Sequence, residues 1–446
     1  MQDMHGFPYG EIEFTKHGEI HRSEQLDELL QMVERREITD LFVISHGWNN
    51  DISEARALYQ SFFQRMKDEI DSRRIPTEGR TFGVLGILWP SKKFAESELI
   101  PSGAAAADSP VTEAVLEEQL EDLKGAFDDP EADVLLEQAK SMVPKLEDSP
   151  VAQKEFVDLL RRMVPTDATE DEDASEEFLS LPGEEVIDRL SRPVMPAPPG
   201  PSSGGAAGGV VGVTMDEAGA APGGAAGIGQ WFTGVRSGVR NFLNFLTYYQ
   251  MKARGGKVGA GGVYQVLRAV RARREDVKLH LVGHSFGARV VTAAALGPPG
   301  QPPVNPNTLN LLQAAFSHYG FANAYDGTRD GFFRGVISNN LVLGPIVISH
   351  TKNDRAVGIA YPLASLLAGQ DAAALGDEND RYGGLGRNGA QKTPEAQRGS
   401  LLDVDGTYEF EAGKTYNLNA DPYILNHSDI SKDQVAHAII SAVSQS

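Results

Sequence analysis

Strand-like and helix-like segments alternate along most of this chain, and that alternation restricts it to an α/β architecture, a mostly parallel sheet covered by helices on both faces. Apolar, β-branched runs at Leu41 to Ser45, Phe82 to Trp89, Val277 to Val282, Leu309 to Phe316, Pro345 to Ser349 and Lys414 to Leu418 read as strands. Amphipathic stretches at Glu24 to Arg35, Ser53 to Ile70, Gly262 to Arg274, Gly287 to Ala295 and Lys432 to Val443 read as helices. A hairpin around Ile12 to Ile20 is expected to add an antiparallel edge.

One long segment breaks the alternation. Between Glu96 and Leu190 the chain carries 27 acidic against 7 basic residues, which accounts for nearly all of its net charge of −21. By contrast, Trp231 to Gly300 holds 11 Lys or Arg against 2 acidic residues. The expected organisation is therefore a first core part at 1–95, an acidic helical insertion at 96–190 as a candidate cap, a Gly/Ala/Pro-rich flexible linker at 191–230 and a second core part at 231–446. Ser109-Pro110, Asp129-Pro130 and Ser149-Pro150 each pair a capping residue with proline and read as helix starts inside the insertion. Leu116, Leu120, Leu123 and Phe127 form one apolar stripe, and Phe156, Leu159, Leu160 and Met163 form another. The insertion is expected to dock on the basic stretch; the alternative is two solvated faces that never meet.

Composition removes several function classes. There is no cysteine, so covalent catalysis must use another nucleophile and thiolate metal sites are excluded. The acidic balance argues against a general nucleic-acid binder. No apolar run approaches the roughly 20 residues that span a bilayer, and the first residues lack a signal-peptide pattern. A soluble, cytoplasmic protein is expected.

Gly283-His284-Ser285-Phe286-Gly287 carries the chemistry. A strand leads into it and a helix-compatible stretch follows, the context in which two small residues allow a strained turn that lifts a serine hydroxyl clear of the sheet. A serine nucleophile needs a base and an acid. Four histidines follow it: His318, His350, His427 and His437. His318 and His350 fall at the ends of predicted strands, before or beside the expected acid, and His437 sits mid-helix as a packing residue, which leaves His427, in a loop before the terminal helix, as the expected base. Asp354, just beyond the Pro345 to Ser349 strand, is the expected acid, with Asp326 and Asp330 as the runners-up.

Two main-chain N–H groups are needed for an oxyanion. Phe286 supplies one, and Trp48, in the turn His46-Gly47-Trp48-Asn49-Asn50 after an early strand, is expected to supply the other. Trp231, Phe232, Val235, Val239, Phe242, Leu243, Leu246 and Tyr249 form an apolar helical stripe, read as a core-packed helix, with an acyl-pocket cap or a lipid-contacting face as the alternative. Gly255 to Gly259 lacks both the Ser or Thr and the preceding strand of a phosphate loop. Asp403 to Gly406 is too short for a calcium loop and reads as a turn. The glycine-rich segment Arg381 to Thr393 reads as a solvated loop. No cofactor and no metal is expected.

In its order of elements, strand with His-Gly, strand, strand with G-x-S-x-G, strand, strand with Asp, strand and then His, the chain resembles the α/β-hydrolase superfamily over residues 1–95 and 231–446. The motifs His46-Gly47-Trp48-Asn49-Asn50 and Gly283 to Arg289 are similar to those of a bacterial group of large serine hydrolases. The resemblance implies an α/β-hydrolase fold with Ser285, Asp354 and His427 as catalytic residues. The expected function is a cofactor-independent serine hydrolase cleaving small carboxylic esters with an apolar acyl or alcohol part. The alternatives are a peptidase or amidase on the same triad, a binding scaffold on the hydrolase fold and a lipase working at a membrane surface.

Overall fold

The strands predicted from apolar runs assemble into one nine-stranded sheet. The computed structural model describes residues 2–48, 50–91, 111–164, 175–192, 234–354, 356–357, 367 and 381–446. Its strands are β1 (Gln2–Met4), β2 (Phe7–Glu13), β3 (Asp40–Ser45), β4 (Phe82–Leu88), β5 (Lys278–His284), β6 (Thr308–Leu312), β7 (Ile346–His350), β8 (Ala396–Ser400) and β9 (Thr415–Asn419). They lie in the order β1-β2-β4-β3-β5-β6-β7-β9-β8. Every neighbouring pair is parallel except β1 with β2.

Alternation along each strand feeds two apolar layers. Leu41 and Val43 of β3 pack on one side, with Leu85 and Ile87 of β4 and Leu279 and Leu281 of β5. Phe42 and Ile44 pack on the other, with Val84, Val282 and Val347. That second layer is closed by the helices Ile52–Ser72 and Asp433–Ser444, which bury Tyr59, Phe62 and Phe63 and Val435, Ile439 and Ile440. Asp51 starts the first of these with a complete capping box to Glu54.

The first layer is covered by Glu24–Arg35, Phe286–Leu296 and the long helix Val235–Lys257, which runs without a break through a π turn at Val258–Val263 into Tyr264–Arg273. The expected helix start at Gly262 is thereby corrected. Gly259 and Gly262 sit within a continuous helix because neighbours need the space: a Cβ on Gly259 would lie 2.2 Å from the Val290 carbonyl oxygen, and one on Gly262 2.2 Å from that of Gly18.

The acidic segment does dock on the basic one. Leu116, Leu120, Leu123, Phe127, Phe156, Leu160 and Met163 share a single core with Val239, Phe242, Leu243 and Leu246, so both apolar stripes are used internally. Phe178 stacks on Phe242 at 5.3 Å between ring centroids. Arg254, 3% exposed at its side chain, reaches Asp128 at 3.1 Å, the Ala126 carbonyl at 2.5 Å and the Pro90 carbonyl at 2.9 Å. Arg236 pairs with Glu113 at 2.9 Å and Glu147 at 2.5 Å. The stripe of the Val235 helix is thus spent on the core, and no described helix is long and apolar enough to cross a membrane.

Three further expectations change. Thr112 caps Glu113–Asp122, so this helix begins after Ser109-Pro110, which lies outside the described residues. Residues 12–20 close only a single antiparallel bridge, Phe14 to Ile20, while β2 itself runs parallel to β4 and the antiparallel edge is β1. The strand expected at Leu309 to Phe316 stops at Leu312, because Gln313 turns the chain with φ 42°. The linker, with Trp231 and Phe232, lies outside the described residues except for Ser191 and Arg192.

Candidate active site

Strand register brings the motif residues to one edge. Ser45 pairs with Gly283, His284 with Leu312, Leu312 with Ser349, and His350 with Asn419. Whatever follows β3, β5, β6, β7 and β9 therefore emerges at the same carboxyl edge, the edge where parallel α/β sheets build their sites.

Ser285 leaves β5 at φ 55° and ψ −124°, a strained conformation for a residue with a side chain, and the helix Phe286–Leu296 starts at the next residue. The two glycines of the motif are required by close approach. A Cβ on Gly283 would lie 2.4 Å from the Ala288 Cα, and one on Gly287 would lie 2.1 Å from the Ser45 carbonyl oxygen. The turn after β6 holds the serine main chain from both sides: the Ser285 N–H donates to Leu312 O at 3.0 Å, and Ser285 O accepts from the Ala315 N–H at 3.1 Å. Gln313 extends this clamp to the next strand through its Nε2, which donates to Ser349 Oγ at 3.2 Å.

Asp354 follows β7, and its side chain is fully buried. Its Oδ2 accepts from His427 Nδ1 at 2.7 Å, and its Oδ1 accepts from the Val357 N–H at 2.9 Å. The expected acid and base are therefore in direct contact. Asp326 and Asp330 are not part of this pair: Asp326 caps its own turn and pairs with Arg329 at 2.7 Å, while Asp330 accepts from the Ala324 N–H.

Which histidine can move a proton follows from what each ring nitrogen already does. His46 holds the Gly47 carbonyl at 2.9 Å through Nδ1 and accepts the Trp89 N–H at 3.2 Å through Nε2, and burial lowers its pKa to about 4. His284 Nε2 donates to the His427 carbonyl at 2.9 Å; burial first, then the nearby His427, lowers its pKa to about 3. His437 is closed by Glu69 at 2.9 Å and the Gly406 carbonyl at 2.7 Å, which matches its expected packing role. His318 is fully buried beside Asn388, and burial lowers the pKa of His350. Only in His427 is one nitrogen held by a carboxylate while Nε2 has no hydrogen-bond partner among the described residues, on a side chain that is 19% exposed.

His427 contacts the residue before the serine, its ring lying 4.9 Å from that of His284 at their centroids, and no hydrogen bond joins His427 to Ser285 among the described residues. The turn after β3 also approaches the nucleophile closely. A Cβ on Gly47 would lie 2.6 Å from Ser285 Cβ and 3.1 Å from its Oγ. The Trp48 and Tyr248 rings each meet the Phe286 ring edge-on, at 5.7 and 5.4 Å. Neither the Trp48 nor the Phe286 main-chain N–H donates to a protein acceptor among the described residues. Asn49 lies outside them.

Sequence reasoning passed over the groups that join the acid loop to the base loop. Thr351 Oγ1 and the Lys352 N–H both donate to Asp421 Oδ1, at 3.0 and 2.8 Å. Asn353 Nδ2 spans to the carbonyls of Asp421 and Ile424 at 3.0 and 2.9 Å. Arg387, from the segment read as a solvated loop, is half-buried and donates to the carbonyls of Lys352 and Asp354. Such contacts join residues 33 to 71 positions apart and leave no local pattern to find; His284 alone had a signal, its place in the motif. No family model matches the chain, and neither a curated protein nor a solved structure matches it.

Proposed function

We propose that this chain is a serine hydrolase of the α/β-hydrolase fold that cleaves carboxylic esters through an acyl-enzyme on Ser285. The observation that carries the reading is the strained Ser285 turn on the same sheet edge as a buried Asp354 bonded at 2.7 Å to a histidine with one unfilled nitrogen.

In this mechanism His427 Nε2 takes the Ser285 proton as Oγ adds to the ester carbonyl, and Asp354 stabilises the imidazolium that results. The oxyanion accepts from the Trp48 and Phe286 N–H groups, aided by the amino end of the helix Phe286–Leu296. Collapse of the tetrahedral adduct breaks the ester C–O bond, and His427 returns the proton to the departing alkoxide. Water then adds to the acyl carbon with His427 again as base, which releases the acid and restores the serine. The Trp48, Phe286 and Tyr248 rings beside the nucleophile favour an ester with an apolar acyl or alcohol part. A scaffold that presents the apolar faces of the acidic helices is disfavoured, because those faces are buried.

The test is an acid quench of the protein during turnover of short- and medium-chain p-nitrophenyl esters, followed by peptide mass spectrometry. The reading requires an acyl adduct on the peptide containing Ser285 and a burst of p-nitrophenol. Hydrolysis without any adduct on that peptide would sink it.

A further inference from the structure

We infer that His284, the residue before the nucleophile, is a positioning residue that fixes His427 through its main chain; the inference rests on the hydrolase reading above. Asp354 holds His427 at a single point, Nδ1, and one hydrogen bond leaves the ring free to swing about it. The loop that carries His427 offers little packing, since Leu425, Asn426 and Ser428 are exposed.

His284 supplies the second point. Strand alternation puts its side chain on the face of Val282, the face covered by the helix Asp433–Ser444 that follows the His427 loop. There Nε2 lies 2.9 Å from the His427 carbonyl oxygen, and the two rings are in contact at 4.9 Å. A carbonyl only accepts, so Nε2 carries the proton and the ring is a fixed neutral tautomer with its lone pair on Nδ1. That Nδ1 is buried and meets no partner among the described residues. An apolar residue would avoid the orphaned acceptor. What the histidine adds is the donor to His427. Because burial keeps the His284 ring uncharged down to about pH 3, this donor is constant over the range in which an ester hydrolase works. Base and nucleophile are then set by consecutive residues of one strand end, His284 through its side chain and Ser285 through its backbone, so that movement of the β5 terminus carries both.

The experiment compares wild-type protein with His284→Phe, which keeps the ring volume and loses the donor, and His284→Gln, which keeps an N–H of similar reach. Turnover of a p-nitrophenyl ester and the downfield proton resonance of His427 Nδ1–H are both read at matched folded fraction. The expected result is a fall in kcat of up to about 100-fold in His284→Phe with KM nearly unchanged, an exchange-broadened resonance, and substantial recovery of both in His284→Gln. Full activity with a sharp resonance in His284→Phe would overturn the positioning role, as would equal losses in both variants, which would mark packing alone. Wild-type protein that never turns over ester would overturn the hydrolase reading and with it the catalytic use of His284. The resonance would in that case still show whether His284 holds the ring.

Discussion

Two ends of the same sheet each hold a histidine bonded to a buried aspartate, and their surroundings are opposite. At the amino end, His280 Nε2 meets Asp40 at 2.9 Å while its Nδ1 meets Thr308 Oγ1 at 3.1 Å. Asp40 also accepts from Arg80 at 2.8 Å and Thr39 at 2.6 Å, and the pair is sealed, with side chains 0% and 2% exposed. At the carboxyl end, which also carries the strained Ser285 turn, His427 meets Asp354 at 2.7 Å but keeps Nε2 without a partner among the described residues. The residue types are the same. A filled second nitrogen makes the pair a structural tie, and an unfilled one leaves the pair a candidate for proton transfer.

Substitutions should split the two pairs by what they damage. Ser285→Ala or His427→Ala should lower ester turnover by about a millionfold, by analogy with serine hydrolases whose triad members act as a unit, with no change in the thermal midpoint. Asp354→Asn should cost about 10,000-fold in kcat, because the amide favours the wrong imidazole tautomer; steady-state kinetics would show it. Asp40→Asn should do the reverse. It leaves His280 and Arg80 without their carboxylate, so urea unfolding should show a loss of about 3–5 kcal/mol while turnover per folded molecule stays at the wild-type value. An Asp40→Asn protein that is stable but inactive would break the comparison.

Acid should act on stability through the histidines buried as neutral rings. Burial lowers His46 to about 4 and His284 to about 3 from an ordinary 6.5, so the unfolded chain binds their protons first. Their contribution is complete above about pH 6.5 and is lost progressively as pH falls towards 4. For Asp40, burial works to raise the pKa, but hydrogen bonds from His280 and Thr39 and the charge of Arg80 outweigh it and lower the pKa, so its contribution is lost only below about pH 4. Urea midpoints measured from pH 8 to pH 4 should be flat and then decline; a rise on acidification would contradict the assignment of neutral rings. The smallest effect is expected for Arg236→Gln. It breaks the half-exposed pairs to Glu113 and Glu147, and should cost about 0.2–1 kcal/mol, a difference that shrinks in high salt.

How much was legible followed from range along the chain. The helix Glu24–Arg35 and the cores of β3, β4, β5, β7 and β9 announced themselves through local apolar periodicity. β8 did not, because Ala-Gln-Arg-Gly-Ser is a polar edge strand whose residues are mostly exposed, so alternation had nothing to mark. Gly255 to Gly262 suggested a break where tertiary contact with Val290 and Gly18 instead keeps a helix running. Ser285, Asp354 and His427 could be chosen because the order of strands and turns constrains which residues reach one edge. The Asp421 and Asn353 ties and the Arg387 contact depend on atoms brought together only by the finished sheet, and position in sequence carries no trace of them; His284 was marked by its place in the motif, but its donor role was not.

The central claim is that the carboxyl edge holds an activated serine, and covalent labelling with a fluorescent fluorophosphonate tests it most directly. Wild-type protein and Asp40→Asn should label at comparable rates per folded molecule, whereas Ser285→Ala and His427→Ala should not label. Folded wild-type protein that resists the probe, or Ser285→Ala that still labels, would contradict the account.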